Sequence, residues 1–83
     1  MNQDVIFGFL RDLIMDMKEV DEGSIEPTST FESLGLDSLD FVELQVAVKK
    51  KFKVDLLPEN FSSGKIVNMN QIVAYIDAEM AGD

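Results

Sequence analysis

Cysteine, histidine and tryptophan are absent from this sequence of 83 residues, and proline occurs only twice. Without cysteine, the polypeptide forms no disulfide bond and supplies no thiolate nucleophile of its own. Without histidine, it lacks the most frequent general base and the commonest metal-ligating side chain. These absences exclude the histidine-dependent serine and cysteine triads by which many enzymes transfer acyl groups.

Long hydrophobic runs are also missing. No stretch approaches the roughly 20 apolar residues that span a bilayer as a helix, and residues 1–4 lack the basic segment that opens a signal peptide. We therefore expect a cytoplasmic protein that does not insert into membranes. Hydrophobic residues still make up 46% of the chain, with six phenylalanines, which favours a folded core over disorder. A chain of this length is expected to form one domain over residues 1–83.

Basic residues are few and unevenly distributed. Asp and Glu total 16 against 7 Lys and Arg, which gives a net charge of −9. Residues 1–48 hold 11 acidic and 2 basic side chains, whereas residues 49–83 hold five of each. An acidic surface repels nucleic-acid phosphates and attracts basic patches on other proteins. We expect no nucleic-acid binding, and we expect partners to dock on the acidic part, with Lys49, Lys50 and Lys51 at its edge.

The apolar spacing predicts three long helices and one short one. The first starts near residues 2–4, and its apolar stripe comprises Val5, Ile6, Phe9, Leu10, Leu13, Ile14 and Met17. The last follows an Asn68 cap and closes at Gly82, and its stripe comprises Met69, Ile72, Val73, Ile76 and Met80. A brief helix is predicted to open at Pro58. Because no segment alternates convincingly as a strand does, the predicted class is all-α.

A second long helix is predicted to begin at Asp37 or Ser38. Asp37 is a favoured N-cap, and Asp40 three residues later resembles the partner residue of a capping box. We expect the inner face to carry Leu39, Val42, Val46 and Phe52, broadened by Leu44, Ala47 and Val48. In particular, we expect Leu13, Val42 and Ile72 to be buried.

The segment before this helix has the composition of a loop. It is acidic and contains Gly23 and Pro27. We expect Val20 and Ile25 to hold it against the helices. Residues 30–35 then predict a single turn that points Phe31 and Leu34 inward and ends at Gly35.

Ser38 is the candidate site of covalent modification. The five glycines are isolated, so no phosphate-binding glycine loop exists, and neither Gly23 nor Gly35 has the ligands of a calcium loop around it. At the predicted helix start, Asp37 already fills the capping role, and Gly35 leaves the approach to the serine open. We expect the first-turn N–H groups to be free and the helix dipole to favour an anion such as a phosphate ester on Ser38. The chain offers no base to activate the hydroxyl, so another enzyme must modify it.

Residues 31–44 resemble the phosphopantetheine attachment region of acyl carrier proteins. The specific part is Asp37–Ser38–Leu39 preceded by Leu34–Gly35–Leu36, and the similarity extends over nearly the whole chain. The resemblance implies a small four-helix bundle. It also implies that Ser38, flanked by Asp37 and Leu39, receives 4′-phosphopantetheine from coenzyme A through a phosphopantetheinyl transferase. The arm's thiol then carries acyl groups as thioesters, so the protein is a carrier, not an enzyme.

The resemblance further implies partners that dock by basic patches: ketosynthases, acyltransferases, acyl ligases and other acyl-processing enzymes. Asp40 and Glu43 match the family's acidic face, and Leu39 and Val46 match apolar contacts beside the arm. Lys49 and Lys50, with the lysines that follow, depart from the acidic helix end of carriers in primary fatty-acid synthesis. We therefore expect a discrete carrier, monomeric when free, for fatty-acid, polyketide-type or another specialised acyl pathway.

Two other readings stay open. One is a D-alanyl or peptidyl carrier, although peptidyl and aryl carriers more often have a second glycine where Leu36 and Asp37 stand here. The other is an unmodified acidic adaptor that only binds proteins. A mass gain on incubation with coenzyme A and a transferase separates the carriers from the adaptor.

Overall fold

Four α-helices account for most of the backbone in the computed structural model, which describes residues 3–81. They are α1 (Gln3–Lys18), α2 (Ser38–Phe52), α3 (Pro58–Ser62) and α4 (Met69–Ala81), with one 3-10 turn at Glu22–Ser24. Within that range no β-strand forms, and β-type pairing is limited to an isolated bridge between Thr30 and Asn68. The predicted all-α class and the order of the helices are confirmed. The described part of α1 begins at Gln3, within the predicted start near residues 2–4. Asn2 and the predicted stop at Gly82 lie outside the described residues.

A side-chain cap and a proline mark where the later helices begin. Asn68 Oδ1 accepts the Gln71 N–H at 2.9 Å, which confirms the predicted cap of α4. Pro58 opens α3 as expected. The buried Asn60 accepts the Leu57 N–H at 3.0 Å through its side chain and so satisfies a backbone donor just before α3.

The long first loop is held against the start of α4. The Met69 N–H donates to Ser29 O at 3.0 Å, and the Asn70 N–H donates to Pro27 O at 2.8 Å. Ile25, Phe31 and Leu34 are buried as expected, and Val20 is half-buried. Gly35 ends the turn that leads to α2. Its φ is +77°, a backbone conformation that residues other than glycine rarely adopt.

One hydrophobic core joins the helices. Helix α1 packs mainly along α4 and also contacts α2. The side chains with no exposed surface are Ile6, Leu10, Ile14, Leu44, Val48, Met69, Ile72 and Ile76. Phe9 of α1 meets Phe52 of α2 edge-to-face, with ring centroids 5.3 Å apart. The stripes predicted for α1 and α4 therefore face the core, except that Val5 is 52% exposed.

The predicted inner face of α2 is confirmed in part, since one of its two apolar stripes is buried and the other is exposed. Leu44, Val48 and Phe52 are buried, whereas Leu39, Val42 and Val46 are 76%, 53% and 51% exposed. Each set recurs at helical spacing, and the two sets lie on opposite sides of the helix because two residues correspond to about 200° of rotation. Periodicity alone does not choose between two apolar stripes on one helix. Because the core packs against the other stripe, Leu39, Val42 and Val46 form an apolar strip on the surface beside Ser38. Of the three positions expected to be buried, Ile72 is buried, Leu13 is half-buried and Val42 is exposed.

Candidate functional site at the start of the second long helix

Asp37 organises the start of α2 through two reciprocal sets of hydrogen bonds. Its Oδ1 accepts the N–H groups of Leu39 and Asp40, each at 3.1 Å. Asp40 Oδ2 in turn accepts the Asp37 N–H at 3.0 Å. This is the predicted capping box with Asp in place of Glu, and it is confirmed. The result is a fixed first turn that begins at Ser38.

Ser38 is exposed on this turn. Its hydroxyl is not a cap, since Asp37 fills that role, and it forms no hydrogen bond with the residues that the structure describes. The expectation that the first-turn N–H groups are free is wrong for Leu39 and Asp40, because the Asp37 carboxylate occupies both. An anion at Ser38 is therefore favoured by the positive end of the helix dipole more than by those two N–H groups.

A cation from the first helix lies close to the same turn. Lys18, the last residue of α1, places its Nζ 2.7 Å from Asp40 Oδ2. The hydrogen bond to Asp40 raises the pKa of Lys18 above its ordinary value. The hydrogen bond from Lys18, followed by that from the Asp37 N–H, lowers the pKa of Asp40. Both partners are therefore charged at neutral pH.

An apolar cavity opens beside Ser38, between α2 and α3. Its volume is about 720 Å³, and its lining includes Ser38, Phe41, Val42, Gln45, Phe61 and Ile66. Phe41 lies one helical turn after Ser38 and stacks on Phe61 of α3, with centroids 4.6 Å apart and an interplanar angle of 22°. Phe31 meets both rings edge-on, at 5.8 and 5.9 Å. The exposed serine thus stands at the mouth of a cavity lined largely by aromatic and aliphatic side chains.

Comparison with known proteins connects this arrangement to a family. Residues 8–76 match the family model described as "Phosphopantetheine attachment site". The chain is 36% identical over 73 residues to a protein of Helicobacter hepaticus named "Acyl carrier protein", covering 87% of this chain and 93% of the relative. It is also 36% identical over 73 residues to the "Acyl carrier protein" of Helicobacter pylori strain J99, covering 87% and 91%. The chain belongs to the acyl carrier protein family.

The group that acyl carrier proteins bind is 4′-phosphopantetheine, and the residues of this carrier fit it. The group is attached through a phosphodiester, which needs an accessible hydroxyl, and Ser38 supplies one at the positive end of α2. Its pantetheine chain and any acyl cargo extend away from the phosphate, and the cavity that Ser38 helps to line is large and mainly apolar.

None of the helices described between residues 3 and 81 combines the length and the hydropathy of a membrane-spanning segment.

The other predicted site residues of the carrier lie along the exposed side of α2. Leu39, Glu43 and Val46 are exposed, whereas Asp40 is partly covered by its contact with Lys18. Lys49 and Lys50 are also exposed but lie near the C-terminal end of α2, about 17–18 Å along the helix axis from Ser38 at 1.5 Å per residue. The structure thus brings Asp37, Ser38, Leu39 and Asp40 together and places the two lysines at the opposite end.

Two of the lysines at the end of α2 contact other residues of the chain. Lys49 Nζ lies 3.0 Å from Asp55 Oδ1, and both side chains are exposed. Lys51 Nζ lies 5.9 Å from the centre of the Phe9 ring. The change from acidic to basic side chains along α2 is therefore present on the surface. Contacts within the chain reduce the positive charge that these lysines offer to a partner.

Two features of the site were not predicted from the sequence. The aromatic stack of Phe41 and Phe61 is one, and the three-residue spacing from Ser38 to Phe41 was a signal that could have placed Phe41 beside the serine. Lys18 is the other. It precedes an acidic loop of 19 residues that separates it from α2, and nothing in the local sequence indicates that it meets Asp40.

Proposed function

We propose that Ser38 carries the 4′-phosphopantetheine arm and that this protein delivers acyl intermediates to partner enzymes. The observation that carries the proposal is an exposed serine with an unengaged hydroxyl, on a helix start that another residue caps, at the mouth of an apolar cavity. Asp37 and Leu39 flank the serine and border the path by which an incoming group reaches its hydroxyl. We also propose that residues 1–83 act together as one carrier domain.

The chain's own residues contribute position rather than catalysis. When bound, the prosthetic group supplies a thiol that holds acyl groups as thioesters, which the cysteine-free polypeptide does not provide. Asp37 and Asp40 hold the first turn of α2 rigid by mutual hydrogen bonds. The capped helix end presents the Ser38 hydroxyl to a phosphopantetheinyl transferase, whose own base must take the proton. The oxygen replaces the adenosine bisphosphate half of coenzyme A, which leaves as the pyrophosphate linkage breaks. No catalytic residue of the carrier is needed for that delivery role.

The cavity beside Ser38 suits partial shelter of an acyl chain. Burying each methylene group is worth about 0.8 kcal/mol, and Phe41, Val42 and Ile66 offer apolar surface for it. Hydroxylamine cleavage of the thioester measures this shelter. We expect cleavage to slow as the acyl chain lengthens from two carbons, until the cavity is filled. A rate independent of chain length would mean that the carrier displays its cargo in solvent.

We propose that partners dock on the exposed side of α2, close to Ser38. Leu39 and Val46 supply apolar contacts, Asp40 and Glu43 supply negative charge, and Lys49 and Lys50 mark the far edge. Exposed apolar side chains ringed by charged ones are typical of protein interaction surfaces. The partners are the transferase and acyl-processing enzymes such as ketosynthases, acyltransferases and acyl ligases, which bring basic patches.

The pathway proposed is fatty-acid, polyketide-type or another specialised acyl synthesis. The two Helicobacter relatives are named only as acyl carrier proteins, so their names do not choose among these pathways. The exposed lysines at the end of α2 favour a partner set that tolerates or requires positive charge there. A monomeric free state and a cytoplasmic location stay predictions from the sequence.

Intact-mass measurement after incubation with coenzyme A and a transferase of broad specificity tests the attachment. We expect the wild type to gain the mass of one phosphopantetheine and Ser38→Ala to gain none. Ser33→Ala is the matched control, since Ser33 is an exposed serine in the turn before α2, and it should load as the wild type does. An unmodified wild type would overturn the proposal and leave the adaptor. Equal loading of Ser38→Ala would overturn the assignment to Ser38, because the arm would then be attached to another residue.

A further inference from the structure

Lys18 occupies the acidic group that a docking partner would use nearest to Ser38. Its Nζ lies 2.7 Å from Asp40 Oδ2, and the two side chains are only 25% and 14% exposed. The same oxygen accepts the Asp37 N–H at 3.0 Å. Asp40 Oδ2 therefore already has two donors, one of them charged, before any partner arrives.

This contact is unusual for the charge pattern of the chain. Residues 1–48 contain only two basic side chains, Arg11 and Lys18, among 11 acidic ones. Lys18 is held beside Asp40, which together with Asp37 is the acidic group nearest to Ser38 in the sequence. Glu43, one turn further along α2, is exposed and has no ion pair among the residues that the structure describes. The two acids assigned to docking are therefore not equivalent, because Glu43 is open and Asp40 is covered.

We propose that Lys18 competes, within the molecule, with the basic side chains of partner enzymes for Asp40, and so tunes docking near Ser38. An arginine or lysine of a partner must displace the Lys18 ammonium from Asp40 or make a weaker contact beside it. Lys18 thereby lowers association with partners that rely on Asp40 and leaves partners that rely on Glu43 unaffected. This inference rests on the proposed function, since it concerns docking on α2.

A double-mutant cycle with the phosphopantetheinyl transferase tests the competition. Lys18→Met removes the ammonium and keeps a long apolar stem. Asp40→Asn removes the charge and keeps an oxygen that accepts the Asp37 N–H. Lys65→Met is the matched control, because Lys65 is exposed, changes the net charge equally and lies on no surface assigned to docking. The measured quantity is kcat/KM for transfer at low and at moderate salt, with thermal unfolding of each variant checked by circular dichroism.

We expect Lys18→Met to raise kcat/KM about two- to fivefold more than Lys65→Met, which is the range that the loss of one ion pair near the surface allows. In the Asp40→Asn background, this difference between the two lysine variants should disappear, and Lys18→Arg should behave as the wild type. The gain should shrink as salt rises.

Equal values for Lys18→Met and Lys65→Met would overturn the inference, as would a gain that persists in the Asp40→Asn background. A fall in kcat/KM for Lys18→Met would also overturn it, since the pair would then assist transfer. All three results leave the carrier function intact, because it requires only that the wild type loads at Ser38. A wild type that does not load refutes the proposed function itself.

Discussion

Leucine-to-alanine substitutions at positions 44 and 39 test which side of α2 faces the core. The two residues lie in the same helix and undergo the same chemical change. Leu44 has no exposed surface, whereas Leu39 is 76% exposed. Removal of a buried leucine side chain costs about 2–5 kcal/mol, because transfer energy is lost and a cavity remains. A substitution on an exposed side chain usually stays within about ±0.5 kcal/mol.

These magnitudes are large for a protein of this size. Stability of about 0.05–0.15 kcal/mol per residue gives a total of about 4–12 kcal/mol for the chain. For domains of 60–100 residues, each kcal/mol shifts the Tm by about 4–8 °C. Leu44→Ala is therefore expected to lower the Tm by about 8–40 °C, and Leu39→Ala by only a few degrees.

Circular dichroism of the helices is the suitable assay, since the chain has no tryptophan. Val48→Ala, a smaller truncation at a second fully buried position, provides a measurable variant if Leu44→Ala does not fold. Leu39→Ala that destabilises as much as Leu44→Ala would refute the orientation of α2. The apolar strip proposed for docking would then belong to the core.

Other predictions concern the cap, the ion pair and the lysines. Asp37→Ala removes two hydrogen bonds at the start of α2 and should cost about 0.5–2 kcal/mol in thermal unfolding, while Asp37→Asn retains an acceptor and should cost much less; equal losses would contradict the capping role. The pKa of Asp40 is lowered, so its pair with Lys18 stabilises the fold at neutral pH and is lost as pH falls below the ordinary Asp value of about 3.9. The Tm difference between wild type and Lys18→Met should therefore vanish in acid, and a difference unchanged in acid would show that the pair is not its cause. Glutamate at Lys49, Lys50 and Lys51 together should change the kinetics and salt dependence of at least one cognate partner; unaltered values for all partners would remove these lysines from docking.

The sequence was most informative where local chemistry decides the structure. The Asp37 cap, the capping box with Asp40 and the Asn68 cap were predictable because each depends on side-chain hydrogen bonds between neighbours three residues apart. The burial of Phe31 and Leu34 followed in the same way from a short turn that ends at a glycine.

Tertiary packing decided what the sequence left open. Helix α2 carries two apolar stripes, and only contact with α1 and the rest of the core selects Leu44 and Val48 over Leu39 and Val42. The pair between Lys18 and Asp40 crosses a loop of 19 residues, so it has no local signal. The N–H groups expected to be free for an anion were taken by Asp37, because the same cap that defines the helix also fills its donors.

The mass of the protein isolated from its native host tests the central claim most directly. Digestion with trypsin releases residues 19–49, and fragmentation of that peptide locates any added group among its serines. We expect one phosphopantetheine on Ser38, free or bearing an acyl group that hydroxylamine removes. An unmodified Ser38, or an arm on any other residue, would contradict this expectation.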